Sequence, residues 1–282
     1  MSHLYRERIV VKVGTSTLTN EAGGVDLRSF ERLARVLSDI HGRGYQVILV
    51  SSGAIAIGSD RLGMEPRPKS LRAKQAAAAV GQCRILFLYD KFFGEYGKTT
   101  AQILLNADDV EREEKRANLV NTFDTLLDMG IIPVVNENDS VSFGEIESDE
   151  RLFGDNDVLS AIVAVLCRAH KLVILSDIDG LYERDPRSNP KAKLIDVVED
   201  VADVERCAGG AGSLRGTGGM KTKLQAADLA TRNGIDAVIL NGRRLDRLYT
   251  VLDGGRAGTV FAARPKVVRD QNDGTPRFSL RA

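Results

Sequence analysis

The sequence has little with which to cross-link itself. Its 282 residues include three cysteines, Cys83, Cys167 and Cys207, far apart and odd in number. No C-x-x-C pair occurs, and the three histidines, His3, His41 and His170, share no ligand spacing. A disulfide framework or a zinc site therefore finds no support, and a reducing, cytoplasmic compartment is expected. An excess of one charge is also missing. Lys+Arg and Asp+Glu both number 39, so no overall field steers the chain toward nucleic acid or an anionic membrane. With aromatics at 5% and no basic stripe, a nucleic-acid role has nothing to rest on. No apolar run approaches the ~18 residues that suggest a membrane span. The opening Met-Ser-His-Leu-Tyr-Arg-Glu-Arg lacks the apolar core and cleavage site of a signal peptide.

The familiar nucleotide and hydrolase motifs are absent as well. Gly97-Lys98-Thr99 matches the end of a P-loop, but Phe92 stands where its first glycine belongs. No G-x-G-x-x-G follows a strand pattern, and H-R-D, D-F-G, G-x-S-x-G and H-E-x-x-H do not occur. These gaps set aside Rossmann dinucleotide binding, protein kinases, α/β-hydrolases and zinc proteases.

What is present is globular. Hydrophobic residues make up 43% and charged residues 28%, in a chain long enough to bury a large core. Short β-branched runs at 8–13, 46–50, 100–105, 131–136, 171–177, 237–241 and 259–262 read as strands. Between them lie helical patterns. One starts at Asp26 and repeats Leu27, Phe30, Leu33, Ala34, Leu37 and Ile40. Others span 71–96 (with Gly81 a candidate break), 110–129, 158–167, 218–233 and 245–252. Strands separated by helices predict an α/β fold, a mainly parallel sheet covered on both faces. No internal repeat appears, and residues 265–282 are polar with weak periodicity.

Each apolar strand ends in a polar or glycine-rich turn: Lys12-Val13-Gly14-Thr15-Ser16, Ser51-Ser52-Gly53, Asn136-Glu137-Asn138-Asp139 and Ser176-Asp177. Ligands of open α/β sheets sit at the carboxyl ends of strands, so these turns should share one edge. Lys12 is out of place in an apolar strand, because an unpaired buried ammonium is costly. Either it snorkels to water or it serves a ligand, and the adjoining glycine turn favours the ligand. Residues 209–223 read Gly-Gly-Ala-Gly-Ser-Leu-Arg-Gly-Thr-Gly-Gly-Met-Lys-Thr-Lys and lead into a helix. Glycine N–H groups, a helix start and Lys221, Thr222 and Lys223 make a phosphate cradle. A mobile loop with solvated lysines is the plain alternative. Asn136-Glu137-Asn138-Asp139 and Gly154-Asp155-Asn156-Asp157 bracket one loop. They suit the α-ammonium of an amino acid, or they are Asx turns and a helix cap.

Taken in order, Val-Lys-Val-Gly-Thr-Ser (11–16), Val-Ser-Ser-Gly-Ala-Ile (50–55), Asn-Glu-Asn-Asp (136–139), Gly-Asp-Asn-Asp (154–157), Ser-Asp-Ile-Asp-Gly-Leu-Tyr (176–182) with Asp185-Pro186, and Gly-Thr-Gly-Gly-Met-Lys-Thr-Lys (216–223) resemble the motif series of the amino-acid kinase family, and within it the members that phosphorylate glutamate. The likeness runs from about residue 8 to 263. It implies a three-layer α/β/α sandwich, with a catalytic domain over 1–263 and a polar tail over 264–282. Its glutamate-binding part would lie toward the N-terminus and its nucleotide-binding part toward the C-terminus. It implies ATP-dependent phosphorylation of the γ-carboxylate of L-glutamate to γ-glutamyl phosphate, the first step of proline biosynthesis, with Mg2+ riding on the phosphates.

By the same likeness, Lys12 and Lys223 would neutralise the transferring phosphate and Asp157 would orient both. Ser52, Gly53, Asp139 and Asn156 would hold glutamate. Ser176, Asp177, Thr217, Gly218, Gly219, Met220, Lys221, Thr222 and Lys223 would line the nucleotide. A homo-oligomer, feedback inhibition by L-proline and a downstream glutamyl-phosphate reductase are implied too. Three features depart from the pattern: Ser176 in place of threonine, a longer loop at 148–153, and no sequence for the RNA-binding-like (PUA) module that members often carry at the C-terminus. Aspartate, N-acetylglutamate, carbamate and UMP are alternative acceptors, and a catalytically silent amino-acid sensor is the alternative class. Residues 136–139 favour a free amino acid, and the two lysines favour catalysis.

Overall fold

The structure, a computed structural model, describes residues 7–20, 24–65, 68–141, 156–208 and 219–264. In chain order its elements are β1 (Arg8–Val13), α1 (Thr15–Leu18), α2 (Leu27–Gly42), β2 (Gln46–Val50), α3 (Ala54–Arg61), α4 (Leu71–Glu95), β3 (Thr100–Leu105), α5 (Ala107–Glu111), α6 (Glu113–Asp128), β4 (Ile132–Glu137), α7 (Asn156–Leu166), β5 (Lys171–Ser176), β6 (Val197–Val198), a 3-10 helix (Val201–Ala208), α8 (Met220–Arg232), β7 (Asp236–Asn241), α9 (Arg247–Leu252) and β8 (Thr259–Phe261).

The strands form one sheet in the order β3-β4-β2-β1-β5-β7-β8-β6. The first six of that order run parallel, and β8 turns antiparallel against β7. The sheet is mainly parallel, as the alternation of strands and helices predicts. Strand β1 sits at its centre, with β2 on one side and β5 on the other. The chain builds outward from β1 in both directions. In open sheets of this kind ligands bind where neighbouring connections part, at the carboxyl ends of the central strands.

Each face of the sheet carries its own apolar layer. Ile9, Val11 and Val13 face one cluster with residues of α2, α3, α4 and α9. Val10 faces the other, with residues of α6, α7 and α8. Side chains alternate along a strand, so Lys12 is on the Val10 face, toward α7 and α8.

Helices α1 and α3 are additions to the sequence pattern, and three of the expected helical stretches take a different form. Helix α4 is unbroken through Gly81. That glycine is a close approach: a Cβ on it would lie 1.8 Å from the carbonyl oxygen of Ala54, and one on Gly58 would lie 1.8 Å from that of Ala77. The α3 and α4 backbones touch there, and only glycine leaves room for the contact. The pattern over 110–129 is two helices, because Arg112 is extended (ψ 121) between α5 and α6. The first begins earlier, at Ala107, where Asn106 and Asp109 form a capping box. Helix α7 begins at Asn156, which is its first residue and leaves its side chain free for other work.

Candidate active site

The four polar turns follow the ends of β1, β2, β4 and β5, which are parallel. They share one edge of the sheet, as expected. Lys12 lies near the end of β1, in register with Val50 of β2 and Ile174 of β5. Above the same face, α7 and α8 lie side by side and bring their first turns to this edge. Asp157 is the second residue of α7 and Lys223 the fourth of α8.

These three side chains meet. Lys12 Nζ is 2.6 Å from Asp157 Oδ1, and Lys223 Nζ is 3.0 Å from Asp157 Oδ2. Thr222 Oγ1 donates to Asp157 Oδ2 at 3.0 Å, with the Gly219 carbonyl as its alternative acceptor at 2.9 Å. The carboxylate is fully buried, and the two lysine side chains are 6% and 9% exposed. Burial alone pushes the Asp157 carboxyl upward. The two ammonium charges and their hydrogen bonds overcome that and bring its pKa down to about 2. At neutral pH the cluster is two cations around one anion. Its surplus positive charge sits in a low-dielectric setting, beside the helix starts of α7 and α8, and favours an anion.

The turns after β1 and β2 are pinned to each other. Ser52 Oγ donates to the Val13 carbonyl at 2.9 Å, and Thr15 Oγ1 lies 3.5 Å from Ser52 Oγ. Gly53 has φ +93, and a Cβ there would crowd Thr15 at 3.3 Å. Both the conformation and the space call for glycine. The Asn156 Nδ2 donates to the Ser51 carbonyl at 3.0 Å and to Asn136 Oδ1 at 3.1 Å. Asp139 is in the turn after β4 and is partly exposed.

After β5, Ser176 is buried, and its Oγ lies 3.4 Å from Asp177 Oδ1. Asp177 pairs with Arg187 at 2.9 Å. Along α8, Met220 packs against the core while Lys221 is exposed. Gly219 is the N-cap residue of α8 (φ −83), and a Cβ on it would meet nothing within 4 Å among the described residues. Thr217 and Gly218, along with Gly154 and Asp155, lie outside the described residues, as does the loop at 148–153.

The structure thus joins Lys12, Asp157, Lys223 and Thr222 in direct contact. It places Ser52, Gly53 and Asn156 around the ends of β1 and β2. Two contacts went unforeseen. Arg187 holds Asp177 from within a loop whose sequence shows only turn residues. Asn136 Nδ2 donates to Gln82 Oε1 of α4 at 2.8 Å. A signal for Gln82 existed: it is a polar residue on the same helical stripe as the buried Ala78, Ile85 and Tyr89.

The sequence pattern of the amino acid kinase family matches residues 7–241. A glutamate 5-kinase of Clostridium perfringens is 55% identical over 92% of this chain and 96% of its own length. One from Clostridium tetani is 52% identical over 91% of this chain and 95% of its own. Among solved structures, carbamate kinase from Giardia lamblia bound to AMP-PNP superposes with a TM-score of 0.64 at 15% identity, covering 91% of this chain and 98% of that one. At that identity the likeness concerns the fold.

Proposed function

This chain belongs to the amino acid kinase family, and we propose that its Lys12–Asp157–Lys223 cluster is where it transfers the γ-phosphoryl group of ATP to the γ-carboxylate of L-glutamate. The chain is a kinase, and its reaction yields γ-glutamyl phosphate, the first step of proline biosynthesis. The near-complete match to glutamate 5-kinases supports the acceptor. The observation that carries the mechanism is the pair of buried ammonium groups held by one buried carboxylate.

The chemistry needs little else. A glutamate side chain has a reference pKa of about 4.3, so at neutral pH it is already a nucleophile and needs no base. A γ-carboxylate oxygen forms a bond to the γ-phosphorus as the bond from phosphorus to the β–γ bridging oxygen breaks. ADP leaves with that electron pair, and no proton moves. The obstacle is repulsion between two anions. Lys12 and Lys223 lower it by placing positive charge at the phosphoryl group in flight. Asp157 is ionised and holds both ammonium groups in place, and Thr222 steadies the carboxylate.

On this reading Ser52, Gly53, Asp139 and Asn156 hold glutamate. Ser176, Asp177 and residues 217–223 hold the nucleotide. Gly219 needs glycine for neither φ nor packing among the described residues, which suits a phosphate lying against its backbone. Both Asp157 oxygens are engaged by cations, so that carboxylate does not fit a metal. Mg2+ would arrive on the triphosphate and neutralise part of its charge. The catalytic unit is proposed to span 1–263. A homo-oligomer, inhibition by L-proline and a reductase that consumes the labile product complete the proposal. Among the described residues, no helix is long and apolar enough to cross a membrane.

The test is to trap the acyl phosphate as a hydroxamate with glutamate and ATP–Mg2+. Glutamate-dependent hydroxamate is expected, with less from aspartate, N-acetylglutamate or carbamate. ATP consumption that ignores glutamate would refute the assignment.

A further inference from the structure

Four groups form a hydrogen-bonded line across the end of the sheet. Gln82 belongs to α4, on the α2/α3/α4 face, and Asn156 opens α7 on the other. Between them, Asn136 projects from the end of β4. Gln82 and Asn136 are buried, at 8% and 1% exposure. The polarity of this line is set by one atom. The Ser51 carbonyl can only accept a hydrogen bond, so the Asn156 amide must turn its Nδ2 toward it. The second Nδ2 hydrogen then goes to Asn136 Oδ1, which turns Asn136 Nδ2 toward Gln82. Gln82 completes the line by presenting Oε1, at 2.8 Å. Reversing any amide sets like against like.

One consequence falls on Asn156. Both hydrogens of its Nδ2 are used within the protein, and its Oδ1 is buried with no hydrogen-bond partner among the described residues. A buried acceptor left unsatisfied costs roughly 1–3 kcal/mol, and a ligand donor relieves that. The α-ammonium of an amino acid carries three donors and no acceptor.

We propose that Gln82 is a positioning residue. Through Asn136, it locks the Asn156 amide with its oxygen toward the substrate, and so makes the site select an α-ammonium. The Gly58/Gly81 contact holds α4 tight against α3, and Gln82, next to Gly81, reaches Asn136 at the end of β4. This inference rests on the reading above that Asn156 touches glutamate.

The test compares Gln82→Met, which keeps length and loses the acceptor, with Gln82→Glu, which keeps an acceptor oxygen. Asn156→Ala is run alongside, and glutarate, glutamate without its ammonium, serves as a competitive inhibitor. Gln82→Met is expected to raise KM for glutamate about tenfold, the loss of roughly one well-placed hydrogen bond. Turnover, KM for ATP and the inhibition constant of glutarate should stay within about twofold, and Gln82→Glu should restore most of the affinity. If Asn156→Ala weakens glutamate and Gln82→Met does not, the line is dispensable and the inference fails while the glutamate contact stands. If Asn156→Ala leaves glutamate affinity unchanged, the contact itself is wrong and the inference falls with it. Equal defects in both Gln82 variants, shared by glutarate, would mark a packing role and overturn the inference as well.

Discussion

Replacing Asp157 by asparagine probes the centre of the site, because the change keeps shape and removes one charge. At an effective dielectric of ~20, each Lys–Asp contact near 3 Å is worth on the order of 5 kcal/mol of gross attraction. The two ammonium groups sit on the two oxygens of one carboxylate and repel each other across it. The native cluster sets two attractions against one repulsion, and the variant keeps only the repulsion. Desolvation of the carboxylate cancels much of the gross difference, and breaking a buried pair typically costs a net ~3–5 kcal/mol. That is the expected loss, from a total that is about 5–15 kcal/mol for a typical protein. Urea unfolding at pH 7 measures it as a lower midpoint at unchanged slope. The double variant Asp157→Asn/Lys223→Met should be more stable than Asp157→Asn alone, because removing one ammonium relieves the repulsion. A loss below about 0.5 kcal/mol, or a double variant that merely adds the two single costs, would refute the reasoning.

The native protein offers a check that needs no variant. The Asp157 pKa is about 2 when folded, against an ordinary 3.8. A lowered carboxyl stabilises above its unfolded pKa and loses that contribution as pH falls through the folded value. The loss should therefore run from about pH 4 to about pH 2. At 1.36 kcal/mol per pH unit it amounts to roughly 2 kcal/mol. This is less than the cost of substitution, which also strands two buried ammonium groups. Acid stability that stays flat across this window, once the other carboxylates are accounted for, would count against the cluster.

Lys12→Ala and Lys223→Ala should each lower kcat by at least about a hundredfold, the scale of losing one oxyanion-stabilising donor, and leave KM for glutamate within a few-fold. Steady-state kinetics in both substrates decides, and a raised KM at full turnover would mean the lysines bind and do not catalyse. Gly81→Ala should destabilise by about 3 kcal/mol or more, because its methyl would lie 1.8 Å from the Ala54 carbonyl and force α4 off α3. An unchanged urea midpoint would contradict that contact.

Much of the site was legible before folding. Lys12 stood out because an ammonium in an apolar strand needs an anion. The polar turns after buried strands pointed to one edge, because parallel strands end together. From residue chemistry Asp157 was legible only as part of a dense polar motif, since a carboxylate at a helix start is most often a cap, and it was the family likeness that set it between the two lysines. Gly81 misled, because a glycine inside a helical pattern signals weakness unless a second backbone lies against it. The break at Arg112 gave no clear local sign, and Gln82 showed only as a polar residue on an apolar helical stripe, with nothing to say which strand end it would reach.

The sequence by itself determined the alternation of strands and helices, the two-faced sheet and the chemistry gathered at its strand ends. Those follow from periodicity and residue type, which act over a few neighbours. Only the tertiary structure decided that Lys12 and Lys223 share one carboxylate. The parity of β1 turns Lys12 toward one layer, and the pairing of α7 with α8 in that layer brings the other two residues to it. Periodicity tells which side of an element is buried. It does not tell which element covers it, because that is settled by packing between segments remote in sequence.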